Sequence, residues 1–432
     1  MESLSKGSRG GFAELWRRQV GLSQPRSVER LIGGSEVLVK RIDLYGKLDG
    51  HEGCVNAVEF NSTGDFLVSG SDDTEVILWN WATRTKKLSY PSGHIDNIFQ
   101  TRIMPFTDDR KIVTSAGDGQ IRLGQILEDG WVDTKRLGKH QGRVYKLAIE
   151  PGSPHIFYSC GEDGFIQHFD LRSHSATKLF WNYQWDASSN SDRPVNTFCP
   201  HHLIGYNGVH ITGLAYSKKS ELLVSYNDEL VYLFQKNMGI GPDPPSVPAE
   251  SLQKQEQPQV YIGHRNSQTV KGVSFFGPSD EYVLSGSDCG HIFIWKKKGG
   301  QLLRLMVGDR QVVNQLEPHP HFPVFATSGM EKNIKLWAPL ANDPIPLPDN
   351  AEEIMEANRQ GREDRSRITL NPDVIMHVLR LQRRQTLAYI ERRYTRADQD
   401  SDGEDEGEAY IFGLSDGDSS EEGLNNRECN IS

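Results

Sequence analysis

The sequence predicts an all-β fold made of repeated four-stranded units, and three observations carry that reading. First, an eleven-residue cassette recurs six times, opening on a small or hydroxylated residue in most copies and closing on an aromatic one: SGSDDTEVILW (Ser69–Trp79), TSAGDGQIRLG (Thr114–Gly124), SCGEDGFIQHF (Ser159–Phe169), VSYNDELVYLF (Val224–Phe234), SGSDCGHIFIW (Ser285–Trp295) and TSGMEKNIKLW (Thr327–Trp337). Each reads as a hairpin, because alternating apolar positions flank a turn rich in Gly, Asp and Asn that tolerates positive φ. Second, cassette starts lie 45, 45, 65, 61 and 42 residues apart, and three of these intervals match the ~40–45-residue period of a propeller blade. Third, a Gly-His pair or a close relative precedes most cassettes, at Gly50-His51, Gly93-His94, His140 and Gly263-His264. A further apolar strand follows, as in Val55–Phe60 and Val270–Phe275.

Taken in order, residues 1–45 read as an N-terminal helical arm and a closing strand. Phe12, Leu15, Trp16 and Val20 have helical spacing within Phe12–Arg30, and Pro25 should end that helix. The string Glu36–Tyr45 could supply the strand that closes a ring. Residues 46–340 are the repeat region. In its first unit His51, Ser69, Asp73 and Trp79 stand where WD40 repeats hold a hydrogen-bonded tetrad: the turn Asp accepts from the His ring and the Ser hydroxyl links that ring to the indole N–H. Buried polar groups need such partners. The chain therefore resembles the WD40 β-propellers over roughly residues 46–340, with six recognisable blades. The tetrad decays elsewhere, where Cys289 and Glu331 replace the turn Asp, Gly124 the Trp and Val224 the Ser.

Residues 341–397 read as an Arg-rich helical extension. Asn358–Ala397 carries ten Arg, no Lys and four acids, and Val374, Val378, Leu379, Leu381, Leu387 and Ile390 have mostly helical spacing. Such a helix either binds a partner or an anionic surface, or caps the propeller. Residues 398–432 form an acidic tail, poor in apolar residues and predicted to be disordered. The formal charge of −10 belongs to that tail and says little about what the repeats bind. Ser401, Ser415, Ser419 and Ser420 precede acids, as substrates of acid-directed kinases do. Cys429-Asn430-Ile431-Ser432 fits a farnesylation box, although a single lipid above acidic residues would anchor weakly.

Several functions are disfavoured. No apolar run approaches a membrane span and the N-terminus lacks a signal core. Five cysteines without a CxxC argue against a disulfide frame or a zinc ribbon. Cys199, His201 and His202, and later His319 and His321, lie in Pro-flanked loops and read as packing, so no metal is assigned. There is no nucleophile elbow, phosphate loop or HExxH, and Gly117-Asp118-Gly119 lies in a hairpin turn. No catalytic residue and no cofactor are implied.

Longer strings narrow the resemblance: GHEGCVNAVEFNSTGDFLVSGSDD from Gly50, FCPHHL from Phe198, GHRNSQTVKGV from Gly263, SGSDCGHIFIW from Ser285, EPHPHFPVFATSG from Glu317 and IKLWAP from Ile334. Together they look like the WD-repeat family known as cullin-4-ligase-associated factor 8, over most of residues 10–340. That family has seven blades. Its members carry an additional blade between about Phe180 and Cys199, where this chain has only a short linker, so the ring either closes with six blades or stays open. The resemblance implies a non-catalytic substrate receptor of a cullin-4 RING ubiquitin ligase, working in nucleus and cytoplasm. Its partners would be the ligase adaptor of the damaged-DNA-binding protein type and protein substrates, with no nucleic acid. It also implies adaptor docking through a WDxR-type box, matched here by Phe169, Asp170 and Arg172, with help from the N-terminal helix. A WD40 scaffold outside ubiquitination, in chromatin or signalling, is the alternative.

Overall fold

A computed structural model describes residues 16–22, 33–173, 176–181, 196–206, 208–241 and 256–367. Its strands form six four-stranded antiparallel sheets, the blades of a β-propeller. Blade one is β2 (Val55–Phe60), β3 (Leu67–Ser71), β4 (Glu75–Asn80) and β5 (Thr85–Pro91). Blade two is β6 (Ile98–Ile103), β7 (Lys111–Ala116), β8 (Gln120–Ile126) and β9 (Val132–Lys139), and blade three is β10 (Val144–Ile149), β11 (Ile156–Gly161), β12 (Phe165–Asp170) and β13 (Thr177–Trp181). Blade four is β14 (Ile211–Tyr216), β15 (Leu222–Tyr226), β16 (Val231–Phe234) and β17 (Gln259–Tyr261). Blade five is β18 (Val273–Phe276), β19 (Tyr282–Ser285), β20 (His291–Lys296) and β21 (Leu302–Val307). Each cassette is the hairpin of a blade's second and third strands. Its turn holds one left-handed residue in five blades: Thr74, Gly119, Gly164, Asp228 and Gly290.

Blade six joins the two ends of the repeat region. Its β22 (Val313–Pro318), β23 (Phe325–Gly329) and β24 (Asn333–Pro339) accept β1 (Ile42–Asp49) as outer strand, in register from Ile42↔Pro339 to Asp49↔Asn333. The closing strand thus starts later than Glu36–Tyr45 suggested and runs past the boundary at residue 45. Before it, α1 (Glu36–Lys40) makes one helical turn instead of extending. Glu36 and Lys40 pair across i,i+4 at 2.8 Å, which favours that turn, and Val39 drops into the core between blades five and six.

The alternation of side chains along a strand decides what each blade shows its neighbour. Three positions of every cassette unit face the next blade: the residue before the cassette, its eighth and its tenth. In blade one these are Val68, Val76 and Leu78, packed on Ile98, Ile103 and Ile112 of blade two. Further clusters join blades two and three, four and five, five and six, and six and one. Among the described residues no cluster joins blade three to blade four. There the three positions are Tyr158, Ile166 and His168, and Ile166 is 40% exposed where its counterparts Val76, Ile121, Val231, Ile292 and Ile334 are 0% exposed. Blade four instead packs Tyr226, Tyr232 and Phe234 against Phe198, Leu203 and Val209 of the preceding segment. Among the described residues, the junction within the 65-residue interval is therefore the one without the apolar seal of the others.

Two helical pieces flank the ring. Residues 16–19 form one helical turn, ended by Gly21 at φ +75°, with Leu22 N–H donating to Arg17 O at 2.7 Å. Glycine, not Pro25, stops it, because only a left-handed residue lets the chain fold back onto the last carbonyls. Trp16 and Val20 are exposed. Helix α2 (Ala351–Arg367) follows the IPLP run. Ala351, Ile354 and Met355 pack on the core shared by blades four and five.

Candidate functional site

The polar hubs of the blades are built from cassette residues and the histidine that precedes each cassette. In blade one His51 Nδ1–H donates to Asp73 at 2.9 Å, and Ser69 Oγ–H donates to His51 Nε2 at 2.7 Å while accepting Trp79 Nε1–H at 2.8 Å. All four are buried or nearly so. Burial pushes the Asp73 carboxyl up, but the His51 bond and charge and the backbone N–H groups of Glu75 and Glu52 outweigh it and hold the pKa at about 2. Asp73 therefore ties the β3–β4 turn to the loop entering the blade. Blade two repeats this with His94, Asp118 (3.1 Å) and Thr114 (2.8 Å). Gly124 stands at the Trp position, and a Cβ there would come within 2.5 Å of the Tyr90 hydroxyl. Blade three uses His140, Asp163 (2.8 Å) and Ser159 (2.7 Å). Phe169 replaces the Trp and stacks on Phe157, with centroids 4.7 Å apart.

Blades five and six keep the aromatic and rebuild the rest. In blade five Cys289 holds the position of Asp73. His264 is fully buried with neither ring nitrogen hydrogen-bonded, and burial drives its pKa down to about 3. The carboxylate sits one residue earlier, at Asp288, which pairs with the fully buried Lys271 ammonium and accepts from Gln268 N–H at 2.9 Å. Helix α2 takes up part of what the histidine leaves: Asn358 Nδ2–H donates to Gly263 O at 2.8 Å and to Cys289 Sγ at 3.2 Å, and Arg362 donates to His264 O. In blade six Asp309 occupies the histidine position. Lys335 Nζ lies 3.5 Å from Asp309 and 2.5 Å from Glu331, and Trp337 Nε1–H donates to Thr327 at 2.9 Å. Glu331 thus does not stand in for an Asp that binds histidine; the cation has moved to the third strand. Gly308-Asp309 in place of Gly-His was the available signal for this exchange.

Arg172 sits just past β12, on the exposed edge of blade three. Its Nε–H and Nη2–H reach both Asp170 oxygens at 2.7–3.2 Å, and Asp170 also accepts the Arg172 backbone N–H at 3.0 Å. The guanidinium beside it holds the Asp170 carboxyl far below the usual carboxylate range. Asp170 orients the fork, and the Arg172 side chain is 63% exposed. Phe169 itself is buried and stacks on Phe157.

The histidine clusters are packing elements with separate partners. His319 is buried between Phe60, Trp81 and Phe322 and bonds Gly64 O at 2.9 Å, while His321 reaches Ser62 O at 3.2 Å. His201 meets Gln257 at 2.8 Å, His202 lies beside Tyr232, and Cys199 Sγ–H points to Pro200 O. Cys429, Ser401, Ser415, Ser419 and Ser420 lie outside the described residues, as do Phe12, Leu15 and most of the Arg-rich stretch. No described helix is long and apolar enough to cross a membrane.

Comparison with known proteins follows the same pattern. The family model for the WD domain, G-beta repeat, matches residues 43–80 and 255–296, which run from the closing strand through β4 and from β17 through β20. The chain is 31% identical over 277 residues to Protein ALTERED SEED GERMINATION 2 of Arabidopsis thaliana, covering 47% of this chain and 37% of that protein. It is 31% identical over 271 residues to DDB1- and CUL4-associated factor 6 of Mus musculus, covering 51% and 31%. It is 37% identical over 162 residues to WD and tetratricopeptide repeats protein 1 of Mus musculus, covering 38% and 24%. The chain thus spans little more than a third, at most, of these relatives' own lengths. A solved Myceliophteria thermophila Cps50 (Swd1) β-propeller domain aligns at 18% identity and a TM-score of 0.49, covering 69% of this chain and 99% of that one. With two matched repeats, six four-stranded blades and polar hubs built from a recurring cassette, the chain is a WD40-repeat β-propeller protein.

Proposed function

We propose that this chain is a non-catalytic substrate-recognition subunit of a cullin-4 RING ubiquitin ligase, docking on the ligase adaptor and presenting protein substrates. The similarity to DDB1- and CUL4-associated factor 6 in mouse and human carries this reading, since that protein's name states the association. The geometry of Arg172 supports it. A rim guanidinium pre-oriented by Asp170 loses little rotamer freedom on docking and offers donors suited to a partner's carboxylates or carbonyls. The exposed Trp16 and Val20 supply an apolar contact of the kind a short helix adds to such an interface. The receptor would act in nucleus and cytoplasm, and a farnesyl group on Cys429 would add at most weak membrane association.

The test is co-purification of the full chain with the adaptor, beside Arg172→Ala and Trp16→Ala. Binding by the wild type and at least a tenfold loss in Arg172→Ala supports docking through the blade-three corner. No binding by either leaves a WD40 scaffold outside ubiquitination. Fluorescence imaging checks the compartments, and intact-mass analysis of the cellular protein checks the lipid.

A further inference from the structure

The outer margin of blades five and six holds a cleft of about 540 Å³, within the ~300–1,000 Å³ range of ligand sites. Three runs of chain line it: 304–307 in β21, Asp43 and Leu44 in β1, and 345–349 ahead of α2. Strands β21 and β1 are the outermost of their sheets, so no strand described here pairs with either outer edge. The lining is largely apolar. Leu305, Met306 and Trp337 are buried, whereas Leu44 and Val307 are 40% and 69% exposed.

The polar groups of the cleft are incompletely served. Arg304 is 4% exposed. Its Nη1–H and Nη2–H donate to Ile345 O at 3.3 Å and Ile42 O at 2.8 Å, but Nε–H has no acceptor. Burial lowers the Arg304 pKa, and the charge of Asp43 offsets this only in part. Asp43 and Asp349 line the same cleft and are exposed. Asp43 accepts the Leu44 backbone N–H at 2.8 Å. Neither carboxylate forms an ion pair among the described residues.

We propose that this cleft binds an extended peptide segment of a partner protein, with one apolar side chain inserted and basic side chains two residues to either side. Charge complementarity argues for that occupant. The ionisable groups of the cleft are Asp43, Asp349 and Arg304, so its reachable charge is acidic and its one cation is buried. An inserted apolar side chain leaves water for the surfaces of Leu305, Met306 and Trp337. Residues two apart in an extended chain share a face, which sends the flanking cations back toward Asp43 and Asp349. The guanidinium has donor capacity left for a peptide carbonyl, and the open edges of β21 and β1 can take main-chain hydrogen bonds. A carboxylate ligand would meet Arg304 only by passing two acids. The site belongs to blades five and six, not to the blade-three corner, and does not depend on the ligase reading.

Calorimetric titration of the full chain with the blocked peptide acetyl-Lys-Thr-Leu-Thr-Lys-amide, in about 0.15 M salt, should give a dissociation constant of roughly 0.1–1 mM. Serine in place of its leucine, or glutamate in place of both lysines, should weaken binding at least about tenfold. The acidic residues 398–432 attract both lysine peptides alike, so the serine peptide isolates the cleft. Asp43→Lys with Asp349→Lys should reverse the order and favour the glutamate peptide. Both side chains are exposed, so the melting temperature should not change, and if it does the wild-type peptide series decides alone. No binding of the lysine–leucine peptide up to about 5 mM, or equal binding of the serine peptide, overturns the proposal. Binding indifferent to the acid substitutions in a folded variant does the same. Tighter binding of the glutamate peptide or of octanoate to the wild type, as expected if Arg304 recruits a carboxylate, also overturns it.

Discussion

Blades one and five begin their cassettes with the same four residues, Ser-Gly-Ser-Asp, and part at the fifth, Asp73 against Cys289. In blade one the fifth-position carboxylate makes His51 the centre of a four-residue hydrogen-bonded chain. In blade five its absence leaves His264 an aromatic filler among Phe293 and Trp295, and stability passes to a buried Lys271–Asp288 pair and to the docked helix α2. One residue thus decides whether a buried imidazole is a polar hub or an inert ring. A propeller tolerates both because each blade's sheet is held by its own ladder and its neighbours' apolar faces.

The largest expected effect separates the two blades directly. Asp288→Ala strands the Lys271 ammonium in the interior and should cost about 3–5 kcal/mol in urea unfolding. Asp73→Ala, which unpairs the His51 ring and two backbone N–H groups, should cost about 1–3 kcal/mol. Equal losses would break the contrast. Next come the histidines. His51→Phe should destabilise by about 2 kcal/mol by leaving Ser69 and Asp73 without their partner, whereas His264→Phe should lie within about 0.5 kcal/mol of wild type or above it.

The pH dependence sharpens the same point. His264 has a folded pKa near 3, below the ordinary ~6.5 of an unfolded histidine. The unfolded chain therefore binds the extra proton, and this contribution is present above pH ~6.5 and lost as pH falls toward 3. Asp73, held at about 2, contributes above the ordinary ~3.9 and is lost only as pH falls through 2. Urea midpoints between about pH 7 and 4 should fall in wild type and fall less steeply in His264→Phe, where His319, held down to about 4 by burial, keeps part of the slope; an unchanged slope would contradict the assignment. The smallest effect concerns the turn. Thr74 is left-handed at φ +64° where blades two, three and five place glycine, so Thr74→Gly should stabilise by about 0.5–1 kcal/mol, read as a raised urea midpoint.

Much of this was legible in the residues. Alternation is local, so Val68, Val76 and Leu78 and their counterparts announce both the hairpin and its buried faces. The His51, Ser69, Asp73 and Trp79 hub could be named from the resemblance to WD40 repeats because all four belong to one blade. The exchange in blade six was harder to see. Lys335 is a strand residue that looks solvent-facing until Asp309, 26 residues earlier, is brought beside it. The string Glu36–Tyr45 could supply the closing strand, but at its start the i,i+4 pair of Glu36 and Lys40 and the core that Val39 enters favour the helical turn α1. Asn358 carried no signal, since its partners, Gly263 and Cys289, come from another part of the chain.

By itself the sequence determined that six hairpins of one kind would form, because period-2 burial and a turn tolerant of positive φ act within about a dozen residues. It also determined that β1 could find a place, since an apolar strand N-terminal to the first blade needs a partner. Only the tertiary structure decided which faces meet. Tyr158, Ile166 and His168 read as an ordinary half-buried strand pair, and whether they are covered depends on what arrives across the junction from Ile211 onward. Burial is a property of two surfaces, and here the second one comes from a distant part of the chain.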